Sequence, residues 1–149
     1  MEIQAPCGGH VIAMRDVSDP VFSEQVVGPG VGIEPTGGRS QVVAPADGVL
    51  LKVNPHAFIL LVDGSVGILV HIGINTVQLG GEGFEVLASQ GSTVAAGTPV
   101  VAWNPDGISG ESISTTVIVA VMDHAPDSID SAVIGADVAA GDALFRIEA

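Results

Sequence analysis

The apolar positions of this chain fall in short runs separated by turn-forming clusters. Runs at 9–14, 41–43, 48–53, 57–62, 66–72, 99–103, 116–121 and 143–147 are rich in Val, Ile, Leu, Phe and Ala and predict strands. Between them stand Asp19-Pro20, Gly28-Pro29-Gly30, Gly37-Gly38, Asp63-Gly64, Gly80-Gly81 and Asn104-Pro105-Asp106-Gly107. Such pairs reverse the chain because Gly accepts positive φ and Pro fixes its own. Several runs are apolar at consecutive rather than alternate positions, as strands covered on both faces are. Only residues 123–131 and a few turn segments read as short helices. The pattern predicts an all-β fold, a sandwich or barrel with only short helices.

Two segments echo each other at a distance. Ala5-Pro6-Cys7-Gly8-Gly9 resembles Ala44-Pro45-Ala46-Asp47-Gly48, an offset of 39 (48 − 9). Gly91-Ser92-Thr93-Val94-Ala95-Ala96-Gly97 resembles Gly135-Ala136-Asp137-Val138-Ala139-Ala140-Gly141, an offset of 44 (135 − 91). Recurrent turn chemistry would produce short matches of this kind. The length of the second match favours two related halves closing around one core.

The stretch Leu69-Val70-His71-Ile72-Gly73-Ile74-Asn75-Thr76-Val77 places a titratable ring where an aliphatic side chain would pack better. His56 and His71 flank the Asp63-Gly64 pair, a favoured two-residue hairpin turn. A hairpin closed by those two residues sets Val62 opposite Ser65 and His56 opposite His71. Directly opposed side chains lie about 4.5–5.5 Å apart, so both rings share one face. A bulge at Gly64 would move the register by one residue and send the rings to opposite faces. A lone strand histidine is ordinarily a hydrogen-bonded structural residue; a facing pair points to chemistry. Two imidazolium ions at this separation repel, so one ring at least stays neutral near pH 7. A neutral imidazole is a good nucleophile toward phosphorus, and a donor beside it steadies the incoming oxygens. The pair is equally two-thirds of a zinc site.

Composition narrows the setting. The 149 residues fit a single domain spanning 1–149, and 20 Gly with 9 Pro disfavour long helices. No apolar run approaches the ~18 residues of a membrane span, and the N-terminus lacks the basic start and apolar core of a signal peptide. A cytoplasmic protein without membrane insertion is expected, free-standing because Met1 lies close to the first predicted strand and no amphipathic tail precedes Glu2. The formal net charge is −13, with Arg15, Arg39, Lys52 and Arg146 the only basic side chains. That balance excludes nucleic acid as a partner and would attract a basic protein, although charge by itself points first to solubility. Cys7 is the sole cysteine, so neither an internal disulfide nor a multi-thiolate metal site can form. No cofactor and no resident metal are expected.

The segment Leu69-Val70-His71-Ile72-Gly73-Ile74-Asn75-Thr76-Val77-Gln78-Leu79-Gly80-Gly81-Glu82-Gly83-Phe84 resembles the active-site signature of the glucose-type IIA component of the bacterial phosphoenolpyruvate:sugar phosphotransferase system. Residues 5–22, 26–38 and 44–53 are similar to other segments of that family, so the resemblance covers nearly the whole chain. It implies a flattened antiparallel β-sandwich or barrel with internal duplication, of the duplicated hybrid motif type. It implies that His71 accepts a phosphoryl group through Nε2 from phospho-HPr and passes it to a cysteine of a sugar-specific IIB domain. His56 matches the second histidine, which hydrogen-bonds the phosphoryl group and supports onward transfer. Asn54 stands two residues before it, where the family often has Thr. Backbone amides near Gly73 are expected to hold phosphate oxygens, and Pro29, Val31, Leu69, Asn75 and Val77 to meet partner proteins. Of the apolar neighbours of the rings, Leu69 and Val77 are expected on the surface.

The chain departs from the family at two partner positions: Pro29 and Asn75 stand where carboxylates are common. Three other readings compete with the relay. A regulatory protein would bind different targets in its phosphorylated and free forms. A lipoyl- or biotinyl-type carrier needs a lysine at a hairpin tip, and only Lys52 is available. A zinc hydrolase needs a third ligand, which the His71-Ile72-Gly73 context does not supply.

Overall fold

The computed structural model describes residues 1–147. Thirteen strands form among them: β1 Glu2–Gln4, β2 Gly9–Ala13, β3 Gly30–Pro35, β4 Ser40–Val43, β5 Gly48–Asn54, β6 Ala57–Val62, β7 Val66–Ile74, β8 Phe84–Val86, β9 Thr93–Val94, β10 Pro99–Trp103, β11 Ser114–Val121, β12 Asp137–Val138 and β13 Ala143–Arg146. Each of the eight expected strands is present within two residues of its predicted limits. The shortest ones, β1, β8, β9 and β12, escape a pattern argument because two or three residues carry no periodicity. β3 was hidden by its two glycines, Gly30 and Gly32.

One α-helix, α1, spans Pro20–Ser23, capped by the Asp19 carboxylate on the Val21 amide at 2.9 Å. The helical expectation for 123–131 is overturned. That segment is a chain of turns, with Asp123 and Asp127 at φ of 60° and 62°, and Pro126 between them removes an amide donor. No helix among the described residues is long and apolar enough to cross a membrane.

The strands make an eight-stranded sheet in the order β12-β2-β3-β11-β7-β6-β5-β9, a three-stranded sheet β4-β10-β8, and the pair β1-β13. The ladders among the described residues are antiparallel. The core lies between them. It joins Ile3 and Phe145 of the strand pair, Val42 and Trp103 of the small sheet, and Leu50, Phe58, Ile72 and Val117 of the large one. β11 is covered on both sides: Val117, Val119 and Val121 face this core, while Ile118 and Ala120 face a second cluster with Met14, Val17 and Phe22. That is the both-faces burial expected of consecutive apolar positions.

The sequence echoes are structural equivalents. Ala5 N–H donates to the Asp142 carbonyl at 2.8 Å, and Ala44 N–H to that of Thr98 at 2.9 Å. Gly141 and Gly97 return the bond to Ala5 and Ala44, both at 2.9 Å. Val11 N–H bonds Ala136, and Leu50 N–H bonds Ser92, again both at 2.9 Å. The two small ladders share even their irregularity: Ile3 opposes Phe145 and Gln4 opposes Ala143, as Val42 opposes Val101 and Val43 opposes Pro99. The halves also clasp each other, Gln4 N–H to Pro45 and Val43 N–H to Pro6, each at 2.8 Å. In the large sheet the equivalents β12 and β9 are outermost and β2 and β5 come next, so the seam between the halves runs between β11 and β7. His71 lies on β7, opposite Ile118 of β11, at that seam.

Candidate functional site

The two histidine rings stand together, but not by the expected route. The Asp63-Gly64 turn forms, with φ of 55° and 67°, and Ser65 N–H donates to the Val62 carbonyl at 3.1 Å. Ser65 then adds a residue before the ladder starts, so Val62 opposes Val66 and Ala57, not His56, opposes His71. The one-residue shift would part the rings if His56 belonged to the strand. It does not. Asn54 pairs with Ala57, which leaves Pro55 and His56 as the turn between β5 and β6. In a turn the side chain is released from strand alternation. The ring lies 5.3 Å from that of His71, centre to centre, and tilted 69° to it. The His56 carbonyl accepts from Ile72 N–H at 2.7 Å, which fixes the turn against β7.

His71 is held on three sides. Its Nδ1 lies 2.5 Å from the Gly73 carbonyl oxygen. A carbonyl can only accept, so Nδ1 carries the proton and the neutral ring has its lone pair on Nε2. Phe22 of α1 packs at 5.1 Å between ring centres, tilted 55°. Burial pushes the His71 pKa below its ordinary 6.5, and the nearby His56 pushes the same way; the Gly73 carbonyl and the Asp19 carboxylate pull against them. The His56 pKa is also lowered by burial. The neutral, nucleophilic form of His71 therefore prevails at neutral pH.

Gly73 sits at φ 83°, opposite the bulge in β11 between Ser114 and Val117. A Cβ there would strike the Thr76 methyl and lie 2.8 Å from the Ser114 carbonyl oxygen, so only glycine fits. Thr76 is the buried polar side chain of the region, and its hydroxyl donates to the Ile72 carbonyl at 2.7 Å. These contacts fold the chain after His71 back beneath its own ring.

The other expected contacts divide. Val77 is 57% exposed, as anticipated, whereas Leu69 is half-buried in the cluster under α1. Val31 is corrected: at 1% exposure it belongs to the core and cannot meet a partner, because alternation along β3 turns it inward. Pro29 is buried too, its carbonyl accepting from Val121 N–H at 2.8 Å. Asn75 takes left-handed backbone at φ 60°, and its amide donates to the Ser112 carbonyl at 2.8 Å. A carboxylate could not make that bond, which gives a structural reason for Asn at this position. Asn54 ends β5 and its side chain makes no hydrogen bond to either ring among the described residues. Lys52 lies within β5, paired with Ile59, and Pro55-His56 rather than a lysine forms the tip of the β5–β6 hairpin, which is not the placement a lipoyl-type carrier needs. Among the described residues, no three His, Cys, Asp or Glu side chains assemble into a metal-holding group.

Two site residues were missed in the sequence: Phe22 and Asp19. Asp19-Pro20 is a helix-start signal and could have placed α1. Nothing local says that α1 folds over a strand some fifty residues later.

Residues 1–126 match the family described as phosphoenolpyruvate-dependent sugar phosphotransferase system, EIIA 1. The chain is 42% identical over 127 residues to the PTS system glucose-specific EIIA component of Staphylococcus aureus, covering 83% of this chain and 75% of that protein. It is 41% identical over 123 residues to the PTS system glucose-specific EIIBCA component of Corynebacterium glutamicum, covering 81% of this chain. It spans only 18% of that longer relative. The solved structure of glucose permease IIA from Mycoplasma capricolum superposes with a TM-score of 0.87 at 31% identity, over 97% of this chain and 94% of that one. Two neighbouring histidine rings on a duplicated β-fold accompany these likenesses, and the chain belongs to the EIIA 1 family of the phosphoenolpyruvate-dependent sugar phosphotransferase system.

Proposed function

We propose that this chain is a phosphoryl carrier of sugar uptake, working in the cytoplasm between phospho-HPr and a IIB domain. The observation that carries the reading is the bare Nε2 of His71, left so by the bond from Nδ1 to Gly73, with the His56 ring beside it. The Nε2 lone pair attacks phosphorus as the P–N bond to the donor histidine breaks, and the electron pair returns to the donor ring. In the second transfer a cysteine thiolate attacks the same phosphorus and the P–N bond to His71 breaks. The Nδ1 proton stays throughout, held by Gly73, so His71 needs no outside base.

Phosphoryl transfer asks for positioning and charge stabilisation more than for covalent help. His56 donates a hydrogen bond to the phosphoryl oxygens, the amides at and after Gly73 contribute further donors, and Asn54 orients His56. Phe22 and the half-buried Leu69 keep water from the P–N bond, and the exposed Val77 offers apolar surface to partners. The EIIBCA name of the Corynebacterium relative, which joins B and A parts in one chain, supports a IIB acceptor.

Incubation with labelled phosphoenolpyruvate, enzyme I and HPr tests this. Wild-type protein takes up acid-labile label, and His71→Ala takes up none. His56→Gln accepts label but delivers it to IIB at least tenfold more slowly, an order-of-magnitude expectation for losing one stabilising donor. Label retained by His71→Ala overturns the assignment.

A further inference from the structure

α1 has only four residues, too few to hold itself in place, yet it puts Phe22 against the His71 ring. Its start is fixed by the Asp19 cap. Past its end, Gln25 adopts left-handed backbone at φ 58°, a conformation that costs a non-glycine residue about 1–2 kcal/mol. Such a conformation persists only where surrounding contacts impose it.

At the helix end Gln25 N–H donates to the Phe22 carbonyl at 2.9 Å and Val26 N–H to that of Val21 at 3.1 Å, while the bonds of the Gln25 side chain go to one distant residue. The Gln25 amide nitrogen donates to Asp127 Oδ1 at 2.8 Å, and Asp127 N–H donates to Gln25 Oε1 at 2.7 Å. The two bonds close a ring between the Gln25 side chain and the carboxylate and backbone amide of a residue 102 positions away. Asp127 is itself left-handed, at φ 62°. It lies in the chain of turns that follows β11, the strand paired with β7 through Ile118 and His71. The ring therefore ties the segment above His71 to the loop leaving the strand beside it.

We propose that Gln25 is a positioning residue for His71, acting through Phe22, with Asp127 as its obligatory partner. Neither side chain touches the imidazole. Their joint effect is to hold α1 down, so that the His71 ring stays packed and poorly hydrated. The inference rests on His71 being the phosphoryl acceptor for its functional meaning. Its structural part stands without that, because it can be read from the free protein.

The test is an NMR titration of His71 in Gln25→Ala, Gln25→Glu, Asp127→Asn and the double variant Gln25→Glu/Asp127→Asn, beside phosphoryl-acceptance rates. Gln25→Ala alters no charge. It releases Phe22, and the His71 midpoint climbs toward the 6.5 of an unburied ring. The groups facing His71, His56 and Asp19, are unchanged in every variant, and Arg15 and Asp130 line the cleft beside the clamp in all of them. Gln25→Glu sets carboxylate against carboxylate and behaves like Gln25→Ala or worse. Asp127→Asn keeps the accepting oxygen and stays at the wild-type midpoint. The double variant reverses donor and acceptor, restores the ring, and returns the midpoint to wild type. Acceptance slows on the order of tenfold in Gln25→Ala, the scale of a small misplacement of the nucleophile, and recovers in the double variant. An unshifted midpoint in Gln25→Ala, or a double variant no better than Gln25→Glu, overturns the proposal. A shifted midpoint with no acceptance in wild-type protein would instead overturn the role of His71.

Discussion

The chemistry of His71 is decided within a few ångströms. The ring spends its Nδ1 proton on Gly73 and is desolvated by Phe22 and its neighbours, so its pKa falls below 6.5. The sign of the pH dependence follows. Well above pH 6.5 the ring is neutral in folded and unfolded chains alike. As pH drops through 6.5 the unfolded chain takes up protons at His71 and His56 before the folded one does, so stability declines until pH passes below the folded values. On the proposed role of His71, phosphoryl acceptance needs the neutral ring, so its neutral-pH rate is expected to hold to below pH 6.5 and then fall. A pH–rate profile whose acidic midpoint lies at or above 6.5 would contradict the burial argument. The residue scale also explains Asn75, whose amide donates to Ser112 where the family's common carboxylate could not.

At the scale of elements, α1 and two turns assemble the site. The Asp19 carboxylate has two duties, capping the helix and pulling the His71 pKa up. Substitution separates them. Asp19→Asn keeps the cap, leaves denaturant stability within about 0.5 kcal/mol, and moves the His71 midpoint further down; Asp19→Ala loses about 1 kcal/mol as well. Equal stability of the two variants would show that the cap contributes nothing. The β6–β7 hairpin teaches a different lesson. Its turn was legible in Asp63-Gly64, but the extra residue at Ser65 was not, since either count satisfies the local turn rules. The rings meet because Pro55 and His56 make a turn of their own.

The whole molecule is two related halves, and that has a measurable consequence. Gly97 and Gly141 occupy equivalent positions, at φ 88° and 94°, each donating to its own Ala44 or Ala5 carbonyl, with open space where a Cβ would go. Gly97→Ala and Gly141→Ala therefore pay only for backbone strain, about 1–2 kcal/mol each. Their costs in urea denaturation match and add in the double variant, because the two sites share no partner. Unequal costs would mean that the halves have diverged in their turns.

The sequence by itself determined what depends on near neighbours and on pattern: the eight principal strands, the glycine turns, the duplication visible in repeated Ala-Pro and Gly-x-x-Val-x-x-Gly segments, and the histidine pair flanking one hairpin. Period-two burial and turn chemistry are written in consecutive residues, so they survive without coordinates. Only the tertiary structure decided the hairpin register, the inward turn of Val31, the place of Phe22 and Asp19 over His71, and the Gln25–Asp127 clamp. Each of those joins residues far apart in the chain, and which distant partners meet is settled by the packing of the whole core rather than by any local preference.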